Sequence, residues 1–298
     1  MKKTSLENMF FMEVGLILAF GVALIKGLQS VYQRKNALGT DEFVTAFSSR
    51  VFGLPVLLAA LLYTGLPELG IKFFLLAVPQ SLVIAFTSIL IAKAYKESDT
   101  SIVTPMFAIS PVLVMGTSFL MLGETPSLLG GFGVILIAFG AYTLKANKTD
   151  TLLDPIKKLW KERGVQLIMA VILIYSITAN TDKIGVNMSS PIMWPLTVYT
   201  LSSLFMLPVM MKKSEGWMEK VKTEWKPLAL LGVLGGTSII LQMTALKLTL
   251  VSYVVAIKRL SIPVAVIFSY LMLRETEGFY QRITGSVLMA AGVVLISL

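Results

Sequence analysis

The sequence predicts an all-α membrane protein of ten transmembrane helices, arranged as two inverted five-helix repeats. Three observations carry that expectation. Hydrophobic residues make up 55% of the chain and charged residues 14%, against about 25% charged in soluble domains, and mean hydropathy is +0.79. Apolar stretches able to cross a hydrocarbon core of about 30 Å as helices recur along the whole length. An ordered series of residues in the first half also returns in the second at a nearly constant offset.

The expected spans are 12–31, 43–64, 72–93, 100–122 and 128–144 in a first repeat (12–144), then 165–181, 192–211, 227–246, 251–273 and 281–298 in a second (165–298). A charged connecting loop, 145–164, divides them, and a second charged segment, Lys212–Lys226, joins the seventh and eighth spans. The head before the first span does not read as a cleaved targeting peptide. Thr125 before Pro126 reads as an N-cap with proline opening the fifth span, and Thr276 as the matching cap of the tenth. Glu124 and Glu275 beside these caps favour helix starts through the macrodipole.

Glu124 pairs with Glu275 at an offset of 151, Gly133 and Gly140 with Gly285 and Gly292 at 152, and Leu54-Pro55-Val56 with Leu207-Pro208-Val209 at 153. Each copy has an odd number of spans, so the second sits upside down relative to the first. Inverted repeats of this kind typify secondary transporters, whose substrates bind near the midplane between copies. The glycines lie seven apart on one helix face, where small residues let helices approach closely in lipid.

The chain has no cysteine and no histidine, which excludes disulfides, thiolate metal sites and the usual proton shuttle; neither a cofactor nor a metal site is expected. The net charge of +9 reflects Lys and Arg gathered in loops of a membrane protein rather than a nucleic-acid surface. Without His, Cys or paired carboxylates in a span, an enzyme cannot be assembled. Monomer and homodimer both remain open.

Ionisable side chains inside spans are costly, by about 2.5–3.5 kcal/mol on insertion scales, and are therefore the leading functional candidates. Lys26, Arg50, Lys258 and Arg259 lie within spans, whereas every acidic residue is expected at a span end or in a loop. Unpaired cations of this kind point to an anionic or zwitterionic guest. Lys258-Arg259 is the sharpest pair; being adjacent on a helix, the two side chains point about 100° apart and need not share a cavity. Lys26 sits nearer a helix end, where snorkelling explains it first, and Arg50 reads equally as a helix-orienting group or a substrate contact. Gln29, Tyr32, Gln80, Tyr95, Asn180 and Gln242 line a cavity or form interhelical hydrogen bonds. Trp194, Trp217 and Trp225 read as interfacial anchors, and the 16 methionines as packing.

Together the Ser110-Pro111 to Gly123-Glu124 stretch, its counterpart from Pro263 to Glu275, the basic residues ending the first and sixth spans (Arg34 or Lys35, and Lys183), and Arg50 resemble the drug/metabolite transporter superfamily, in the group built from two EamA-type domains. The likeness spans about Leu16–Leu144 and Gln166–Leu298. It departs in lacking the Trp-Gly of the first helix and in placing Arg274 where glycine precedes the glutamate. The resemblance implies a ten-helix carrier working by alternating access, without naming a cargo. The Lys258-Arg259 dipeptide is also similar to the Lys-Arg pair with which triose-phosphate and nucleotide-sugar translocators grip phosphate in their ninth helix. Small multidrug exporters of the superfamily hold cations on an intramembrane glutamate, a group not expected here.

The expectation is thus a secondary transporter in the cell membrane for a small organic anion or zwitterion, such as an amino acid or related metabolite. The alternatives are an exporter of amphipathic drugs or lipid flippase, and a non-transporting sensor. Counting Lys and Arg gives fifteen in the odd-numbered loops against four in the N-terminal segment and even-numbered loops, which places both termini outside. The resemblance implies the opposite, both termini inside.

Overall fold

The computed structural model describes residues 2–36, 41–97, 106–145, 162–273 and 279–298, and the described residues are almost wholly helical. The helices are α1 (Lys2–Asn36), α2 (Glu42–Val51), α3 (Leu54–Thr64), α4 (Ile71–Glu97), α5 (Ser110–Leu122) and α6 (Leu128–Lys145) in the first half. The second half holds α7 (Arg163–Met188), α8 (Met193–Lys213), a short α9 (Trp217–Thr223), α10 (Trp225–Leu248), α11 (Val251–Lys258), α12 (Ser261–Leu273) and α13 (Phe279–Ser297). Among the described residues, seven helical segments are long and apolar enough to cross a membrane, from Met9–Tyr32 to Val251–Met272. Three further apolar segments, Phe107–Leu122, Leu128–Thr143 and Gly285–Ser297, are shorter. Large apolar side chains cover the outside: Leu62 is 88% exposed and Leu120 80%, an apolar outer surface suited to lipid.

Several expected devices fall outside the described residues: Arg274, Glu275, Thr276 and most of the 145–164 loop. Others are placed differently. The fifth expected span starts at Leu128, and Ser127 rather than Thr125 caps it, its Oγ accepting the Gly130 amide at 3.0 Å. Glu124 does not serve its own following helix; Oε2 accepts the amide of Val251 at the start of α11 at 2.9 Å. A helix start is indeed what its charge favours, but in the other half of the chain. Trp194 is no interfacial anchor. It is fully buried, edge-on to Phe73 at 5.7 Å, over the flat space left by Gly185, where a Cβ would strike its ring.

The expected second and ninth spans are each broken. α2 stops at Val51 and α3 restarts with Pro55 in its first turn, where a missing N–H costs nothing. The break lets the chain come close to α10: a Cβ at Gly236 would meet the Gly53 carbonyl, and one at Gly232 would meet Phe52. α11 stops at Lys258, and α12 begins at Ser261 with Pro263 close behind. In the first half a 3₁₀ turn, Phe107–Ile109, precedes α5, which opens with Ser110-Pro111. Ser110 and Ser261 are 151 residues apart, so the two breaks occupy equivalent places in the repeat.

Helix packing repeats as well. α1 lies on α10 as α7 lies on α4, α1 on α12 as α7 on α5, and α2 on α10 as α8 on α4. α6 packs along its own counterpart, α13. There a Cβ on Gly133 would collide with the carbonyl of Gly292, and one on Gly140 with that of Gly285. Rising numbers on one helix meet falling numbers on the other, so α6 and α13 are antiparallel. The glycines that announced the repeat are the surface on which its two copies meet.

Candidate functional site

A cavity of about 290 Å³ lies between the halves, near the small end of the roughly 300–1,000 Å³ of small-molecule sites. Its wall takes Lys26 from α1, Arg50 from α2, Ser110 and Val114 from α5, Tyr175 and Asp182 from α7, Tyr199 from α8, Gln242 from α10, and Lys258 and Arg259 from the break after α11. Both halves of the chain therefore build it. Lys26, for which snorkelling was the first explanation, is in the wall. Lys258 and Arg259 both line the cavity although they are adjacent in the chain, at the point where α11 ends.

The four cations have different surroundings. Lys258 Nζ donates to Gln242 Oε1 at 3.1 Å. Arg259 reaches across to the other half, donating through Nη2 to the Ser110 hydroxyl, with its guanidinium 5.8 Å from the Phe107 ring centroid. It thereby ties one broken helix to the other. Arg50 donates to Ser88 Oγ at 2.8 Å and lies against Met206 Sδ at 3.1 Å. Among the described residues, none of Lys26, Arg50, Lys258 and Arg259 forms an ion pair with a carboxylate.

One carboxylate does enter the wall, which corrects the expectation that the charges within the membrane are all positive. Asp182 lines the cavity because α7 continues to Met188, beyond the span end expected at 181. Its Oδ1 accepts from Gln80 Nε2 and from the indole N–H of Trp194, each at 2.9 Å. Gln80 also donates to the Thr178 carbonyl one turn back, at 3.1 Å, and so braces the helix that carries Asp182. Tyr175, Thr178, Ala179 and Asp182 follow one another at helical spacing on a single cavity-facing stripe. That polar stripe is the signal in the sequence that would have found Asp182.

Of the remaining candidates, Gln29, Asn180 and Tyr32 are not part of the wall. Gln29 donates to the Leu231 carbonyl at 2.9 Å, linking α1 to α10. Asn180 is fully buried, bonded to Thr117 Oγ1 at 2.9 Å and to the Ser176 carbonyl at 2.8 Å. Tyr32 is half-buried on α1, and the side chain of Tyr95 is outside the described residues.

Next to Asp182 in the chain, Lys183 Nζ meets Glu124 Oε1 at 2.5 Å and the Thr249 carbonyl at 2.8 Å. Elsewhere, Asp41 caps α2 by accepting the amides of Phe43 and Val44 at 3.0 Å, and also binds Ser214 at 2.8 Å and Lys220 at 3.4 Å. Partial burial pushes the Asp41 carboxyl up, but the Val44 amide, the Ser214 hydroxyl and the Lys220 ammonium outweigh it and hold it below its ordinary value.

A family described as the EamA-like transporter family matches the chain twice, over residues 13–145 and 162–298. No curated protein matches it in sequence. A solved structure described only as the crystal structure of a protein shares its fold, with a TM-score of 0.77 over 95% of this chain and 96% of its own, at 13% identity. The chain is a multi-pass integral membrane protein of the drug/metabolite transporter superfamily, and it belongs to the EamA-like transporter family.

Proposed function

We propose that this transporter is a secondary carrier of a small organic anion or zwitterion, working by alternating access. The observation that carries the reading is the cavity wall: four cations against a single carboxylate, drawn from both repeats, with Lys258 and Arg259 beside the break after α11. Broken helices place backbone polar groups and charged side chains at depth only where they line a cavity. An excess of positive charge held out of water is balanced when an acidic guest enters.

The scaffold of the proposal is ten transmembrane helices in two inverted repeats, 12–144 and 165–298, joined by the 145–164 loop. The antiparallel meeting of Gly133 and Gly140 with Gly292 and Gly285 supports inversion, since a two-fold axis in the membrane plane makes equivalent helices antiparallel. Lys258 and Gln242 are the leading cargo contacts, with Lys26 and Arg50 completing the cationic wall. The lysine and arginine bias of the loops sets both termini outside the cell membrane.

The test is a thermal-shift screen of metabolites on the detergent-purified protein. A ligand at a hundred times its dissociation constant raises stability by about 2.7 kcal/mol. The expected hits are carboxylates, phosphate esters and zwitterions. Hits confined to organic cations or neutral amphiphiles would overturn the reading.

A further inference from the structure

We infer that Asp182 is the subsite for a protonated amine, so that the cargo carries an ammonium group as well as an acidic one. This inference rests on the anion-or-zwitterion reading and narrows it.

The geometry of Asp182 carries the argument. Both of its described hydrogen bonds, from Gln80 and from Trp194, fall on Oδ1. Oδ2 accepts nothing among the described residues, and it is not fully buried. Because Asp182 lines the cavity, that second oxygen is the acceptor left for a guest. A carboxylate retained within a membrane span costs several kcal/mol unless a partner balances it. None of the cations that share the wall lies within ion-pair distance of Asp182, and Lys258 attracts it only through space. Lys258 is bonded to Gln242, and Arg259 to Ser110.

The carboxylate is also built in rather than loosely placed. Trp194 is fully buried over Gly185 and against Phe73, and Gln80 is 4% exposed and anchored on the Thr178 carbonyl. These two donors fix the plane of Asp182 before any guest arrives, which lowers the ordering cost of binding. A wall that holds four cations and one oriented carboxylate offers a partner to both charges of a small zwitterion. A simple anion engages only the cations.

A structural role for Asp182 makes a different prediction, because asparagine keeps the Oδ1 acceptor that Gln80 and Trp194 use. The experiment is therefore a thermal-shift titration of wild-type protein and Asp182→Asn with paired probes. The probes are L-leucine, L-glutamate and L-serine, each against the carboxylate lacking its amino group: 4-methylpentanoate, glutarate and 3-hydroxypropanoate. The proposal expects at least one amino acid to bind wild type more tightly than its partner. Asp182→Asn should then melt like wild type without ligand but weaken that amino acid about tenfold or more, leaving the des-amino probe unchanged. Equal weakening of both probes, or an unchanged amino-acid preference, would overturn it. Tighter wild-type binding of the des-amino probes would overturn the amine subsite and leave the anion reading standing, whereas wild-type stabilisation by neither series would overturn the inference. Should Asp182→Asn fail to fold, the wild-type comparison of each amino acid with its N-acetyl derivative decides. Equal binding of the acetylated form would contradict an ammonium contact.

Discussion

Lys183 of α7 and Glu124 at the end of α5 form the shortest ion pair among the described residues, 2.5 Å apart and both largely buried. Glu124 also accepts the Val251 amide, and Lys183 also binds the Thr249 carbonyl. Glu124 thus binds the first half of the chain to two separate segments of the second, α7 and the start of α11.

Removing one member strands the other in an apolar setting. Glu124→Gln should destabilise the protein by about 3–5 kcal/mol, read as a lower thermal midpoint in detergent. Glu124→Gln combined with Lys183→Met should recover part of that loss, because no uncompensated charge remains. A double variant less stable than the sum of the two single changes would contradict a paired role.

The glycine face between α6 and α13 offers a second test. Gly133→Val and Gly140→Val each force a side chain into an opposing carbonyl and should cost about 1–3 kcal/mol or more. Gly131→Ala, on the same helix, meets only Met115 Sδ at 3.9 Å and should be neutral or stabilising, by up to about 1 kcal/mol. Thermal unfolding and size-exclusion profiles of the three variants separate these outcomes.

Asp41 sets an expected pH dependence. Its carboxyl titrates below the ordinary value of 3.8 when folded, so its contribution is fully present above that value and disappears as pH falls through the lower folded one. The thermal midpoint should fall as pH drops below about 4, and Asp41→Asn should flatten that part of the curve. An unchanged acid limb in Asp41→Asn would remove Asp41 from the account.

Much of the fold was legible because lipid imposes a strong rule. Each span must be helical and apolar, and the repeated glycines at a fixed offset needed no structure to be noticed. Lys258 and Arg50 stood out in the same way, as charges that a lipid-facing helix rejects. Asp182 did not. Asn180, Thr181, Asp182 and Lys183 together depress local hydropathy, which mimics a span end although the helix continues to Met188. Trp194 was misread for a related reason: tryptophan near a span end is usually interfacial, and only the space over Gly185 reveals that it packs inward. The helix break beside Lys258 left one sequence trace, Pro263, too far along to show that Arg259 would turn toward Ser110.

Ser110 and Lys258 should separate structure from binding. Ser110→Ala removes the acceptor of a charged donor and should lower the stability of the ligand-free protein by about 1.5–3 kcal/mol. Lys258→Met relieves a crowded cationic wall and should leave ligand-free stability at or above that of wild type. Thermal midpoints without ligand check both.

The central claim is that the cationic wall of the cavity holds the acidic group of the cargo. Its most direct test is uptake into liposomes of the best acidic or zwitterionic ligand from the screen, by wild type and by Lys258→Met folded to the same thermal midpoint. The account predicts that Lys258→Met loses uptake at least about tenfold, as expected for a lost charge-assisted contact. Wild-type uptake by the folded Lys258→Met variant would contradict it.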